Sequence, residues 1–239
     1  MPMEQELRYI SPLSQCAYLP DRKWQLEYVF FSDMTSEKYL RLLNEGWRRA
    51  GYLAFHPRCP SCNACRNIRV LVDKFRPNRS QRRTIKLNAP LIRLEIASPQ
   101  TSEEKVDIYF RHHMHHRLTK GWPETTEHDA FMHLSSLAES PFGVQEWRYY
   151  IGDKLVAVLY VDELRTGLSG IYYFFDPDYR RHCLGTWMVL SMIDRARHLQ
   201  MPFVYLGYYV EGCRSMEYKA RFIPNQILAP DGQWHDFRT

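Results

Sequence analysis

The sequence predicts a mixed α/β fold in two parts. Strands are indicated where large apolar residues alternate with others, as at Leu26, Tyr28 and Phe30. Helices are indicated where apolar residues recur three or four positions apart behind a capping side chain. The pattern changes near residue 100, so we expect a small cysteine-containing, basic domain at 1–100 and a second domain at 101–239.

The first part contains short elements. A strand is predicted at Leu26 to Phe30, and a helix follows at Leu40, Leu43 and Trp47, with Thr35 as a cap and Gly51 closing its end. Alternating residues predict two more strands, at 68–72 and 91–95. The sequence between them, FRPN, is expected to interrupt regular structure because it contains proline and asparagine.

The second part is predicted to contain longer and more regular helices and strands. A Thr101-x-x-Glu104 capping box predicts a helix to about Leu118, and another helix is expected at 127–138. A hairpin around Gly152-Asp153 comes next. A strand (168–175), a long helix (184–200), a strand (203–210) and a short helix (215–222) then follow in order.

This order of elements is typical of an acetyltransferase-like (GNAT-like) α/β domain. In such a domain an acyl carrier lies where a strand ends in a loop and a helix N-terminus. Here that loop is predicted at DPDYRRHCLG.

Composition narrows the functional class. The chain is 45% hydrophobic and 25% charged, which is ordinary for a globular protein. It has no apolar run of about 18 residues, and its first residues, MPMEQELRYI, do not resemble a secretory signal. We therefore expect a soluble, cytoplasmic protein with no membrane partner.

Three of the six cysteines lie within seven residues, at Cys59, Cys62 and Cys65. Two-residue gaps allow a tight turn to direct successive sulfurs at one ion. Cys16 or His56 would supply the fourth ligand, and both zinc and an iron-sulfur cluster fit such a set. The alternative is a reduced cysteine-rich loop that binds no metal.

Positive charge is concentrated between Arg66 and Arg93, which we call the basic segment. It holds nine Lys or Arg residues against one Asp, whereas the whole chain has a net charge of only +5. Such a concentration is typical of a surface that binds a polyanion or an acidic group. The strongest candidates for bidentate binding of phosphate or carboxylate are Arg76, Arg79, Arg82 and Arg83.

Two more clusters are candidates for chemistry. Four histidines, including His113 and His116, crowd one predicted helix, where the alternative is an exposed polar surface. Near the end, YLGYYVEGCRSMEYKARFIP places Met216, Tyr218 and Lys219 on one helical turn, where core packing is the alternative for Met216.

Together these motifs resemble the aminoacyl-tRNA-protein transferases that extend N-terminal degradation signals. The resemblance covers nearly the whole chain and rests on the cysteine cluster, IRVLVDKFRPNRSQRRTIKLN, YYFFDPDYRRHCLGTW and YLGYYVEGCRSMEYKARFIP. The compact chain looks more like the bacterial aspartate/glutamate leucyltransferases than the arginyltransferases. It has Cys16-Ala17-Tyr18 where the arginyl branch would show two cysteines, which weakens the expectation of an iron-sulfur centre.

The resemblance implies transfer of leucine from leucyl-tRNA, the co-substrate, to the N-terminal amine of proteins that begin with Asp or Glu, which marks them for degradation in the N-degron pathway. The α-amine must lose a proton before it attacks the ester. Asp176 is the first candidate for the base and His116 the second. Tyr208 or Tyr209 would donate to the oxyanion or leaving oxygen, and Lys219 would hold the oxyanion or the terminal phosphate.

Substrate binding is expected from seven residues of the same motifs: Arg76, Arg79, Arg82, Arg83, Tyr172, Met216 and Tyr218. Arg76 is the first choice for the acceptor carboxylate because Pro77 restricts its backbone. No cofactor is firmly implied beyond the zinc or iron-sulfur alternative at Cys16, Cys59, Cys62 and Cys65. Arginyl transfer, an acetyl-CoA-dependent N-acetyltransferase and a non-catalytic RNA-binding protein remain alternatives, and the sequence leaves the oligomeric state open.

Overall fold

A computed structural model describes residues 7–239. Its strands, in chain order, are β1 (Leu7–Ile10), β2 (Ser14–Gln15), β3 (Lys23–Trp24), β4 (Leu26–Phe30), β5 (Arg48–Ala50), β6 (Leu53–Pro57), β7 (Arg66–Leu71), β8 (Ile92–Ala97), β9 (Val144–Ile151), β10 (Lys154–Leu164), β11 (Gly167–Phe175), β12 (Phe203–Tyr209), β13 (Asn225–Leu228) and β14 (Trp234–Arg238). Its α-helices are α1 (Ser36–Asn44), α2 (Arg79–Asn88), α3 (Glu103–Lys120), α4 (Glu127–Ala138), α5 (Leu184–His198) and α6 (Arg214–Glu217). Two 3₁₀ helices span Pro177–His182 and Tyr218–Arg221.

The strands form one large and two smaller sheets. The large sheet has the order β14-β13-β7-β12-β11-β10-β9-β8, and β11 and β12 are its parallel pair. A four-stranded sheet has the order β1-β4-β6-β5, and β2 pairs with β3. The α/β class predicted from the sequence is confirmed, and the clustered cysteines lie in the N-terminal region, as expected.

The large sheet takes strands from both sides of residue 100. Strand β7 pairs with β12 and β13, and β8 pairs with β9 at the sheet edge. The predicted division at 1–100 and 101–239 is therefore crossed by this sheet, and it stays a prediction about sequence segments.

Helices cover both faces of the large sheet, and β10 is therefore buried on both sides. Alternate residues of a strand point to opposite faces. Leu159 joins a core cluster with Met188 and Met192 of α5, whereas Val158 joins another cluster with Ile108 of α3 and Leu134 of α4. The sheet thus lies between two helical layers.

The four-stranded sheet is attached to the large sheet by a buried ion pair. Arg49 of β5 donates from its Nε atom to Asp162 of β10 at 2.9 Å, and its second contact completes a bidentate pair. Both side chains are fully buried. Arg49 also donates to the Gly51 carbonyl oxygen at 2.9 Å, so this contact fixes the turn between β5 and β6.

Several element boundaries differ from those predicted. Helix α1 begins behind Thr35 as expected but ends at Asn44, and Gly51 instead adopts a φ of +58° in the β5–β6 turn. Helix α3 is capped by Ser102 rather than Thr101. Helix α2 was not predicted. It is stabilised by a capping box in which Asn78 accepts from the Gln81 N–H and Gln81 accepts from the Asn78 N–H.

In the part of the chain from Leu7 to Thr239, none of the helices combines the length and the apolar character that crossing a bilayer requires.

Candidate active site

A cavity of about 310 Å³ lies where the two parallel strands of the large sheet separate. Strands β11 and β12 are in register over three pairs only, which end at Ser169 and Tyr205. The next residues of both strands, from Gly170 and from Leu206 onward, line the cavity. Divergence of two parallel strands therefore opens the sheet and exposes backbone groups that a substrate can reach.

Part of the lining of this cavity is apolar. It consists of Ile171 of β11, Leu206 of β12, Leu159 of β10, and Val189 and Met192 of α5. All except Ile171 are buried side chains of the core. Such a lining accepts an apolar group of a ligand and releases water from it.

Other residues of the lining are basic. Arg48, Lys120 and Lys219 line the cavity together with His112 and His116. Among residues 7–239, no Asp or Glu lines it. The cavity is therefore suited to a ligand with a negative group as well as an apolar one.

Lys219 lies buried in this lining, as part of the 3₁₀ helix that follows α6. Its Nζ donates to the Tyr208 carbonyl oxygen at 2.6 Å and to the Met216 Sδ at 3.2 Å. Burial first, and the positive charge of Arg48 second, lower the pKa of Lys219 from 10.5 to about 7. At neutral pH a large fraction of this amine is therefore unprotonated and able to accept a proton.

His112 and His116 lie one turn apart on α3 and face the cavity beside Trp122. Burial, with Lys120 nearby, lowers the pKa of His116 to about 4, so its ring is neutral at pH 7. The His116 Nδ1 lies 3.0 Å from the His112 carbonyl oxygen. Because a carbonyl oxygen only accepts, the proton of neutral His116 is on Nδ1, and Nε2 is an acceptor.

Five tyrosines complete the lining, and the hydroxyls of all except Tyr18 have the contacts that follow. Tyr208 donates through its hydroxyl to the Gly46 carbonyl oxygen at 3.1 Å. The Tyr172 hydroxyl lies 2.9 Å from the His113 Nε2, and the Tyr218 hydroxyl donates to the Tyr173 hydroxyl at 3.4 Å. These contacts hold polar groups at fixed positions around the ligand space.

The structure thus brings together six residues that the sequence singled out: His116, Tyr172, Tyr208, Met216, Tyr218 and Lys219. The roles given to them stay predictions.

Asp176, the first candidate for the base, does not line this cavity. It is buried and caps the 3₁₀ helix Pro177–His182. Its carboxylate accepts from the Arg111 Nη1 at 2.6 Å and pairs with Lys154 at 3.1 Å. Burial alone would raise the pKa of Asp176, but these contacts and the Asp178 N–H hold it below its usual value. A carboxylate so engaged is a weak base, and we assign it to stabilising this turn.

Tyr209 is also separated from the cavity. Successive residues of a strand point to opposite faces, so Tyr208 and Tyr209 cannot both face the same ligand. The Tyr209 ring packs against Phe237 of β14, with ring centroids 5.1 Å apart.

The four arginines predicted to bind substrate lie on the surface, apart from the cavity. Arg76 and Arg82 donate to nearby backbone carbonyl oxygens, of Phe75 at 2.8 Å and of Pro77 at 2.6 Å. Arg79, Arg82 and Arg83 lie along the exposed side of α2. None of the four lines the cavity, so the assignment of Arg76 to the acceptor carboxylate stays a prediction.

The cysteines surround a second, smaller cavity of about 40 Å³ that shares Tyr18, Phe55 and Tyr208 with the first. It is lined by Cys16, Cys59, Cys62 and Cys65, and all six cysteines are free thiols. Burial and the neighbouring sulfurs raise the pKa of the Cys65 thiol to about 12.

The four sulfurs engage different partners. Cys62 accepts from the Arg22 guanidinium at 3.2 Å, and the Cys59 thiol donates to the Gln25 carbonyl oxygen at 3.8 Å. Within residues 7–239, no group of three or more His, Cys, Asp or Glu side chains is arranged to hold a metal ion. The predicted zinc or iron-sulfur site at Cys16, Cys59, Cys62 and Cys65, or with His56 as fourth ligand, is therefore not supported.

Comparison with known proteins identifies the family. The protein-family model described as "Arginine-tRNA-protein transferase, C terminus" matches residues 104–229, and the corresponding N-terminal family model matches residues 14–83. An aspartate/glutamate leucyltransferase of Campylobacter jejuni is 34% identical, with 93% of each chain covered. The chain belongs to the aminoacyl-tRNA-protein transferases. It is therefore an enzyme of aminoacyl transfer from tRNA to the N-terminus of a protein.

Further relatives agree with this assignment. An aspartate/glutamate leucyltransferase of Nitrobacter winogradskyi is 38% identical to this transferase over 94% of this chain and 90% of the relative. Solved structures are more distant. The C-terminal domain of a putative lysylphosphatidylglycerol synthetase of Agrobacterium fabrum has a TM-score of 0.46, 13% identity, and coverage of 72% of this chain and 58% of its own. At this low similarity, the structural match supports no conclusion about function.

Sequence reasoning missed other residues of this transferase's cavity: Tyr18, Arg48, Lys120, Trp122 and Tyr173. Arg48 is the least expected, because it lies in a three-residue strand without a motif. One signal was present, since Arg48 and Arg49 stand side by side between Trp47 and Ala50. Paired arginines among apolar residues are expected to need partners, but the sequence does not show which.

Proposed function

We propose that this transferase moves leucine from leucyl-tRNA to the α-amine of proteins that begin with Asp or Glu, and so marks them for degradation. The names of its relatives, aspartate/glutamate leucyltransferases, support this proposal. The observation that carries it is the cavity between β11 and β12, which combines an apolar lining with cations and no lining acid among residues 7–239.

The donor is leucine rather than arginine for an electrostatic reason. The apolar lining around Ile171 and Leu206 fits a branched aliphatic side chain. An arginyl side chain would instead bring a further positive charge close to the guanidinium of Arg48. Two like charges about 8 Å apart repel by about 2 kcal/mol at an effective dielectric constant of about 20. No acid of the cavity lining offsets this cost in the described part of the chain.

Lys219 is the proposed base of the reaction. The attacking α-amine has an ordinary pKa of about 7.7 to 8.0, and proton transfer is most efficient to a group whose pKa lies near the working pH. Lys219 lines the cavity and its pKa of about 7 meets that condition better than the pKa of about 4 of His116. The amine forms the amide bond, the ester bond to the ribose breaks, and one proton passes from the amine to the departing oxygen.

The tRNA body is proposed to bind the basic segment. Its exposed arginines on α2 are free to approach phosphates, whereas a buried cavity cannot enclose a duplex. In this division of roles, the first hundred residues contribute tRNA contacts and residues 101–239 contribute most of the transfer site. Since aminoacyl-tRNA is a cytoplasmic substrate, we infer a cytoplasmic location.

The test is transfer of labelled leucine from leucyl-tRNA to a peptide that begins with Asp. Parallel reactions replace leucyl-tRNA with arginyl-tRNA or acetyl-CoA, and the Asp peptide with one that begins with Asn. We expect label only with leucyl-tRNA, and more with Asp than with Asn. Preferential arginine transfer would assign the protein to the arginyl branch, and labelling by acetyl-CoA alone would make it an acetyltransferase.

A further inference from the structure

Arg48 of β5 lines the cavity at the point where β11 and β12 begin to separate. Only 5% of the residue is exposed. Its Nη1 donates to the Ser169 hydroxyl at 3.1 Å, and its Nη2 donates to the Gly170 carbonyl oxygen. On the other strand, a Cβ at Gly207 would lie 3.4 Å from the guanidinium, so the glycine leaves room for it. Arg48 thus reaches both separating strands.

The charge of Arg48 is not balanced by an ion pair within residues 7–239. Arg48 lies close enough to Asp162 to lower the pKa of that carboxyl group, although burial has the larger effect and raises it. Both carboxylate oxygens of Asp162 already bind Arg49. The ion pairs of the described residues include none for Arg48, and the lining of the cavity offers it no acid. A buried cation without a counter-charge is costly, and binding an anion relieves this cost.

We propose that Arg48 binds the side-chain carboxylate of the acceptor's N-terminal Asp or Glu. This inference rests on the proposed function, because it assigns the acceptor specificity of the same cavity. A guanidinium has five N–H donors, and the two contacts to Ser169 and Gly170 leave others for a carboxylate. The neighbouring Lys219 then lies at the α-amine, since both residues line one cavity.

A tRNA phosphate is the less suitable ligand for Arg48. A phosphodiester carries nucleotides on both sides, so contact with a guanidinium that is only 5% exposed would require burying them. Lys120 also lines the cavity but is exposed, and Arg214 nearby is exposed as well. These two cations suit the 3′-terminal phosphates, which leaves the buried guanidinium for the acceptor.

The experiment compares wild type with Arg48→Gln and Arg48→Lys in leucine transfer to four peptides that differ only in an initial Asp, Glu, Asn or Gln. Losing a charge-assisted hydrogen bond should raise the acceptor KM for Asp and Glu roughly 10- to 100-fold. The Asp-over-Asn preference should fall by the same factor in Arg48→Gln, while the KM for leucyl-tRNA stays near that of wild type. Arg48→Lys, which keeps the charge, should retain part of the preference.

Lys120→Gln is the matched control for a cation of the same cavity. It should raise the KM for leucyl-tRNA and leave the Asp-over-Asn ratio unchanged. The proposal is overturned if either Arg48 variant loses rate equally on all four peptides, because Arg48 would then only hold the strands in place. A change confined to the KM for leucyl-tRNA would likewise overturn it in favour of phosphate binding.

Failure of the proposed function is distinguishable from failure of this inference. If wild type transfers arginine rather than leucine, the donor assignment is wrong, and the same ratio is measured with arginyl-tRNA. If Arg48→Gln is not folded by circular dichroism, Arg48→Lys decides the question, since an unchanged Asp-over-Asn ratio together with an unchanged acceptor KM would contradict the bidentate contact.

Discussion

Replacing Lys219 with methionine changes one buried amine into an apolar side chain of similar length, and it separates a catalytic role from a structural one. In the folded protein burial lowers the pKa of Lys219 from 10.5 to about 7. Between these two values the unfolded chain holds a proton that the folded chain has released. Stability of wild type should therefore rise with pH in this window, relative to a variant that lacks the amine.

The size of this pH dependence follows from the difference of one bound proton between the folded and the unfolded chain. A full difference of one bound proton changes the free energy of unfolding by about 1.4 kcal/mol per pH unit. We expect the wild-type free energy of unfolding to increase by about that much per unit, relative to Lys219→Met, between about pH 7.5 and 9.5. Urea unfolding at three pH values measures it. Titrations of cysteine and tyrosine are common to both proteins and cancel in the difference.

The same variant should lose activity while it remains folded at neutral pH. Removing a general base typically costs 10²- to 10⁴-fold in rate. In wild type, kcat/KM should rise as the pH increases through about 7, and Lys219→Met should lack this limb. Lys74→Met, at an exposed lysine of the basic segment, controls for the general loss of one positive charge. Parallel stability curves for wild type and Lys219→Met, or a normal rate in the variant, would refute the assignment of Lys219.

Three other predictions address the scaffold and the tRNA surface. Asp162→Asn should destabilise the protein by about 3 to 5 kcal/mol, because it leaves the charge of Arg49 buried and unpaired, and thermal unfolding should show a Tm lowered by roughly 6 to 20 °C. Alanine at any one of the exposed arginines of the basic segment should weaken leucyl-tRNA binding and reduce the slope of log affinity against log salt by about one, whereas an unchanged slope would exclude a phosphate contact. Tyr208→Phe should slow transfer because it removes a hydroxyl from the cavity lining, and Tyr209→Phe, on the opposite face, should transfer leucine at the wild-type rate.

Local patterns predicted the second half of the fold better than the first. The hairpin of β9 and β10 and the helix α5 follow from alternation, a Gly-Asp turn and apolar spacing, and Gly152 indeed adopts a φ of +58°. Helix α2 was missed because nearly all of its residues are polar, so it has little apolar periodicity. Its capping box at Asn78 and Gln81 was the available signal.

The candidate site could be predicted only where a motif carries it. Residues of the last motif, such as Lys219, and one histidine of α3 were found because their segments are recognisable. Arg48 could not be found, since it reaches the cavity through the pairing of β5 with β6 and the attachment of that sheet at Asp162. The surroundings of Asp176 could not be predicted for a related reason, and its role as the base stays a prediction. A carboxylate after a strand resembles a base in the sequence, but contacts with Arg111 and Lys154 from distant segments neutralise it.

Arg48, proposed to bind the acceptor, and Lys219, proposed as the base, are electrostatically coupled, and this coupling would link acceptor choice to catalysis. The charge of Arg48 lowers the pKa of Lys219, second to burial. A carboxylate bound to Arg48 would offset that charge, so the pKa of Lys219 should rise when an Asp peptide binds and should not rise with an Asn peptide. A stronger base is then formed only in the complex with an acidic acceptor. The pH profile of kcat reports the complex, and that of kcat/KM reports the free enzyme. We therefore expect the limb over which kcat rises with pH to lie at higher pH with Asp than with Asn peptides, and coincident limbs would show that acceptor charge is sensed at another residue.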